Sequence, residues 1–475
     1  MKDFKVIPFS KKHGPQIIIV ILSITVLLLS QLLPNNVNST NPANSFDNLA
    51  GASTGALSSS WYCFDFNGVY SQSIQTELLL TSLNKHVVTG NYVLYGLSDQ
   101  SQALKFSLAP RSFTVINLAW LSKASIPVVA VNLNGGGVAV EMKIQTANYS
   151  NFVGCTPQIS NFGISSGGST QYGNICQVAI LNPTSQPAVV DVQAYSSSGI
   201  LAPTQLQGLV VNPDSISVED LSQIVPNQNI EFIKASVPSG ASDIVMATMS
   251  YSSNYLLIEP AFGHVLNRVT FATNVNSENQ VLTFINPTQN AVSIKIKPIL
   301  QNLDSASMRE SIPPQSSLNV NISQITQIPT GSNYGLKLDL KGKVFAWLYN
   351  PSSTSLEFGY SDSKSYFAIP IMDSNSLGGQ FALDSNSKTS VSIKPILEFI
   401  AHTQLELSSI KLNEANLTVS APIIQQIQPW LKVSQATSLI PAAAVLGSSK
   451  GIVPDIVIDG STVTQIVPVQ VSRSI

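Results

Sequence analysis

Pro110-Arg111-Ser112-Phe113-Thr114-Val115-Ile116-Asn117-Leu118 is a phrase that this chain uses three times. It returns as Pro213-Asp214-Ser215-Ile216-Ser217-Val218-Glu219-Asp220-Leu221, and again, one residue longer, as Pro314-Gln315-Ser316-Ser317-Leu318-Asn319-Val320-Asn321-Ile322. From Pro110 to Pro213 is 103 residues, and from Pro213 to Pro314 is 101. A repeat of that length is a whole domain rather than one blade or one solenoid turn. Each copy opens on Pro, which fixes φ and begins a strand, and its alternate apolar residues share one face. Val115, Val218 and Val320 are therefore expected in the core, with Ser112, Ser215 and Ser316 at the strand entrance.

The rest of the period follows the same plan. An apolar strand ends at Asn182-Pro183-Thr184 in one copy and at Asn286-Pro287-Thr288 in the next. Proline cannot donate to a ladder, so the strand stops there. An alternating strand follows, then the phrase, then a Lys-containing strand (Ile233-Lys234-Ala235; Leu336-Lys337-Leu338) and a last apolar strand (Ile244–Ala247; Val344–Trp347). A fourth, degenerate copy is read with Leu417-Thr418-Val419 in place of the phrase, Leu431-Lys432-Val433 as its Lys strand and Ala442–Val445 as its last strand.

About seven short strands per hundred residues is the pattern of a two-sheet sandwich. The expected fold is all-β: tandem immunoglobulin-like β-sandwich modules after an N-terminal transmembrane or signal helix. A single β-propeller would repeat at roughly 40–50 residues. The expected division is 1–14 cytoplasmic basic segment, 15–34 anchor or signal peptide, 35–59 stalk, 60–157, 170–262 and 276–370 as three modules, 376–447 as the fourth, and 448–475 as a C-terminal β extension. Modules packed end to end would make a rod on the order of 130–160 Å.

Lys2, Lys5, Lys11 and Lys12 precede the uncharged run Ile17–Leu33, closed by Pro34. The basic side stays in the cytoplasm, which sends the remainder outside. The run suits either an uncleaved single-pass anchor or a cleaved signal peptide, so the expected location is the cell membrane with an extracellular C-terminal region, or secretion. Charged residues make up only 11% of the chain, under half the usual share, so Ser, Thr, Asn and Gln carry the polar surface. Net charge is −2 and no basic block follows the N-terminus, which argues against nucleic acid as a partner.

Outside the cell, Cys63, Cys155 and Cys176 should give one disulfide and one thiol. Cys155 with Cys176, bracketing the Gly/Ser-rich stretch 163–169, is the favoured pairing. Cys63 with Cys155, tying the start of the first module to its end, is the alternative. No His stands near the three, so a metal site is disfavoured.

Chemical motifs are few. Gly163-Ile164-Ser165-Ser166-Gly167 has the spacing of a nucleophile elbow, but that turn needs a strand-to-helix junction in an α/β sheet; a linker is expected instead. Asp373, Asn375 and Asp384 suggest a calcium loop, yet Leu377 fills a ligand position and a solvated turn fits better. His13, His86, His264 and His402 are scattered. Trp120 and Trp347 lie in apolar strand contexts, so core packing is expected over sugar stacking.

Trp61-Tyr62-Cys63, the Asn-Pro-Thr turns and the P-x-S-x-x-V-x-x-L phrase together resemble an uncharacterised family of secreted and membrane-anchored actinobacterial proteins, although Phe64 stands where that family usually has Pro. The resemblance implies an envelope location and tandem β modules, and no activity. The expected function is therefore that of a non-enzymatic envelope protein presenting a surface, with no cofactor and no catalytic residue. Its expected partners are the membrane, through the N-terminal helix, and a cell-wall glycan or another envelope protein. A carbohydrate-binding protein or enzyme with a site at an inter-module groove is the alternative.

Overall fold

Val88-Thr89-Gly90-Asn91-Tyr92-Val93-Leu94-Tyr95 buries every second residue, and the same rhythm recurs in Ala188–Ser196 and Val292–Ile299. Period-two burial is what a strand with one face on a core requires. The computed structural model describes residues 56–350 apart from 67–74, 97–102, 119–127, 146–149, 253–255, 264–267, 274–279, 301–304 and shorter gaps, with the strands at 50–51 and between 355 and 472. These residues belong to one unit, Asp47–Ile475; the other, Met1–Phe46, lies outside the described residues together with the expected anchor. Among the described residues no helix is long and apolar enough to cross a membrane.

After the short β1 (Ala50–Gly51), the first module runs through β2 (Ser59–Phe64), β3 (Gln75–Ser82), β4 (Val88–Tyr95), β5 (Leu104–Leu108), β6 (Phe113–Asn117), β7 (Val128–Asn134), β8 (Val138–Gln145) and β9 (Ser150–Gly154). Its two antiparallel sheets have the orders β2-β7-β4-β5 and β6-β3-β8-β9. The second module repeats this with β10 (Phe162–Ser166), β11 (Ile175–Asn182), β12 (Ala188–Ser196), β13 (Gly199–Leu201), β14 (Leu209–Val211), β15 (Ser215–Asp220), β16 (Ile230–Ser236), β17 (Val245–Tyr251) and β18 (Leu256–Pro260). Here the fourth-strand place is shared by β13 and β14, both paired to β12. The third has β19 (Arg268–Thr273), β20 (Val281–Asn286), β21 (Val292–Ile299), β22 (Met308–Ile312), β23 (Ser316–Asn321), β24 (Tyr334–Leu340), β25 (Phe345–Asn350) and β26 (Ser355–Phe358). In all three, strands one, six, three and four form one sheet, and five, two, seven and eight the other.

That order departs from the immunoglobulin sandwich. There the first strand lies beside the second and the seventh beside the sixth. Here the first strand pairs with the sixth and the seventh with the second, so the two outer strands have changed sheets.

Strands continue with β27 (Ser365–Pro370), β28 (Ser376–Leu383), β29 (Thr389–Phe399), β30 (Ala415–Val419), β31 (Ile423–Lys432), β32 (Leu439–Ser448), β33 (Val453–Val457), β34 (Val463–Ile466) and β35 (Val469–Ser472). Pairing shifts several sequence boundaries. β27, expected at the end of the third module, pairs with β32 in the order β27-β32-β29-β30, and β33, expected in the C-terminal extension, pairs with β28 in β31-β28-β33. Leu417–Val419 lies in β30, a fourth strand, so the place expected for it is taken by β31. Likewise β10 and β19 stand where linkers were expected, each paired to the sixth strand of its own module. β34 joins β9 of the first module in parallel, and β35 joins β1 inside the expected stalk.

Cores merge across modules. One cluster holds Trp61, Leu78, Leu80, Val131 and Val140 of the first module together with Ala179, Leu181, Val245, Ala247 and Met249 of the second. Val178 and Ile180, the intervening residues of β11, point into the second module's own core. A further cluster joins Ile164, Tyr195, Phe232 and Leu257 to Ile285, Phe345 and Trp347 of the third. Neighbours therefore meet through sheet faces, and the expected end-to-end rod is corrected.

Candidate functional site

Asn182 and Asn286, the last residues of their strands, are buried, and a buried amide must find partners for its donors and acceptor. Asn286 Nδ2 donates to the carbonyls of Asn290 at 2.8 Å, Ile312 at 3.2 Å and Pro313 at 2.8 Å, while its Oδ1 accepts from the backbone N–H (3.1 Å) and hydroxyl (2.7 Å) of Thr288. Asn182 repeats this with Gln186, Val211 and Thr184. The side chain thereby ties the turn after the second strand to the segment entering the phrase.

The phrase begins on the other side of that knot. Arg111, Asp214 and Gln315, each directly after the proline, take φ of 47°, 52° and 48°. A left-handed residue after Pro has the φ signature of a type II turn. The serine that follows donates its hydroxyl three residues back, from Ser112 to Ala109 (2.6 Å), Ser215 to Asn212 (2.7 Å) and Ser316 to Pro313 (2.8 Å). The left-handed N–H is also used: Arg111 donates to Asn84 and Gln315 to Thr288, both at 2.9 Å. So the two repeated motifs, about 30 residues apart in sequence, meet as one hydrogen-bonded corner.

The corner also faces the neighbouring module. Burial, with the Asp214 carboxylate adding to it, raises the Tyr95 hydroxyl of the first module, and burial, then Tyr95 and Asp214, push Tyr62 up to about 12. Ser317, inside the third phrase, donates its hydroxyl to the Glu231 carboxylate of the second module.

Cys63 bonds Cys155, across 92 residues. The partners are brought together because Tyr62 and Thr156 exchange backbone bonds of 2.8 and 3.0 Å, which places the end of β2 against the residue following β9. The favoured Cys155–Cys176 pairing is therefore corrected. Cys176 lies on β11 inside the second module, fully buried, and burial pushes its thiol up to about 12, so it is held protonated.

The remaining candidates fall out as follows. Gly163–Gly167 runs through β10 rather than a linker, and Ser165 is buried. A Cβ on Gly163 would come within 3.1 Å of the Ala261 Cβ and 3.3 Å of Met246, so any side chain here would make these neighbours give way. Residues 376–383 of the calcium-loop candidate form the continuous strand β28, while Asp373, Asn375 and Asp384 lie outside the described residues. So do His13, His264, His402 and Trp120; His86 is exposed on the turn after β3. Trp347 is buried, as is Trp61. Among the described residues no three His, Cys, Asp or Glu side chains group as metal ligands.

Two features escaped the sequence. Glu259 on β18 is fully buried, accepts a hydrogen bond from the Ser166 hydroxyl on β10, and is pushed up to about 7 by burial, against the opposing pull of its bonds to Ser166. Tyr172 is wholly exposed on the β10–β11 loop. That loop is pinned by Thr170, whose hydroxyl donates to Val225 O at 2.6 Å and accepts from Gln228 N at 2.9 Å, and by Asn174, which donates to Ser169 Oγ at 2.9 Å.

The second module also stands out by comparison with known proteins. Residues 153–258 match a family described as "Family of unknown function (DUF5719)". The matched stretch covers β10 to β17 and the first three residues of β18, one module almost end to end. That agrees with the expected likeness to a family without assigned function. No curated protein and no solved structure matches the chain.

Proposed function

We propose that the chain is a non-enzymatic extracellular protein of the cell envelope, held at the membrane by its N-terminal apolar run or released by cleavage there, whose tandem immunoglobulin-like modules present a binding or structural surface. One observation carries this reading: the residues repeated from module to module are spent on the corner that closes each module. A chain that repeats only its joinery is organised to build a surface. The test is topological. A reporter fused after Ile475 should be active outside the cell, and cytoplasmic activity overturns the proposal.

Tyr172 favours a second reading, binding of an uncharged envelope glycan. An exposed aromatic ring held on a pinned loop offers a stacking face to a sugar ring. Saturable binding on a glycan array, lost in Tyr172→Ala, is the expected result; binding unchanged by that substitution rejects this loop as the platform.

A further inference from the structure

Glu141 and Glu259 are unusual in lying wholly inside the protein without a charged partner. Glu141, on β8 between Leu79 of β3 and Gly154 of β9, has no solvent exposure, and neither of its carboxyl oxygens has a hydrogen-bond partner. Glu259 has one oxygen on the Ser166 hydroxyl and the other on nothing. An isolated ionised carboxylate is among the costliest groups to bury, and the usual outcome is that it takes up a proton instead.

Among the described residues, the strands packed against β18 offer no cation to Glu259. Of the strands packed against β18, β10 and β9 carry no titratable side chain, β17 carries only Tyr251, and β2 carries Tyr62 and the bridged Cys63. Around Glu141, β9 and β35 carry none and β2 carries the same two. Among the described residues on the same face, the Lys143 ammonium is engaged by Glu77, 3.6 Å away.

We propose that this fold is built for acidic surroundings, with Glu141 and Glu259 held inside it as neutral acids whose protons are part of the structure. Composition supports this independently. With 24 Lys and Arg and 4 His in 475 residues, full protonation leaves at most 28 positive side chains. Charged residues are under half the usual share, so the self-repulsion that unfolds ordinary proteins in acid is correspondingly small.

The sign follows from proton linkage. An unfolded glutamate ionises near 4.5, whereas folded Glu259 holds its proton to about 7, and burial moves Glu141 in the same direction. Between these values the folded chain keeps protons that the unfolded chain has released. Stability from these groups is complete below 4.5, falls as pH rises, and for Glu259 levels off above about 7.

Thermal unfolding of the full chain should be followed from pH 5 to pH 8.5. The melting temperature should fall by several degrees as pH rises across this range, and Glu141→Gln with Glu259→Gln should flatten the curve by raising the value at pH 8. A melting temperature that is flat or rises with pH overturns the proposal, as does a slope that survives both substitutions. If the variants do not fold, the infrared spectrum of the unaltered chain at pH 6 decides. A protonated carboxyl stretch supports the proposal, and its absence rejects it.

Discussion

Leu118 and Leu221 hold the same place in their modules, six residues after the turn serine, and both are fully buried. Ile322 is the third member of the set, equally buried. Register fixes the equivalence, because Ser215 stands opposite Asn182 and Ser316 opposite Asn286, while Ser82 N bonds Ser112 O at 2.8 Å. Three residues after the serine come Val115, Val218 and Asn319, so Val320 is not the counterpart of the other two valines. Val218 is 36% exposed and Val320 6%, with Val115 half-buried. The expectation of three equivalent core valines is corrected: the phrase anchors its module through its last residue.

Leu221→Ala should accordingly cost about 2–5 kcal/mol, whereas Val218→Asp should cost less than about 1 kcal/mol. Chemical denaturation of the two variants gives the comparison directly. A Val218→Asp loss as large as that of Leu221→Ala would contradict the register.

Removing the bridge by Cys63→Ala with Cys155→Ala should lower stability by about 2–5 kcal/mol, as for a long loop released in the unfolded chain. Native protein should leave Cys176 unlabelled by a thiol reagent at pH 8, because the thiol is both buried and protonated, and denaturant should expose it. Rapid native labelling would show that the second module's core is open.

Asn286→Ala removes five hydrogen bonds at once and leaves the carbonyls of Ile312 and Pro313 without this donor. The expected loss is about 1–3 kcal/mol. Asn286→Asp should fare little better, since it keeps the acceptor for Thr288 but deletes the amide donor. A neutral Asp variant would mean that the Thr288 bonds alone hold the corner.

Trp347→Ala, at the joint of the second and third modules, should cost about 3–5 kcal/mol and should be felt on both sides. Its partners across the joint include Tyr195 and Phe232, stacked with ring centres 3.9 Å apart. Limited proteolysis of the variant should open segments of both modules together. Cleavage confined to the third would show that this joint does not couple the two modules.

Local chemistry was legible in the sequence, and long-range partnership was not. Alternation located strands such as Val88–Tyr95, and Asn-Pro and Pro-x-Ser marked the corner because proline and the Asx side chain act within a few residues. The edge strands escaped because nothing local tells Phe162–Ser166 to pair with Ile230–Ser236. Gly163 was misread as part of a flexible linker when it lies in a strand packed closely against Ala261 and Met246. That error also made Cys176 look like a neighbour of Cys155. Glu141 and Glu259 were invisible for a related reason, since their burial arises from strands distant in sequence.

Face-to-face joints have a consequence for how such a chain is inherited. The second module offers one sheet face to the module before it and the opposite face to the module after it. A duplication that copies the stretch from one turn serine to the next, as from Ser215 to Ser316, carries one complete set of both faces. It lengthens the array with the two faces still alternating, whereas a copy of any other length leaves an apolar face unmatched. The length of the chain is thus free to change in lineages, but only in steps of about one hundred residues.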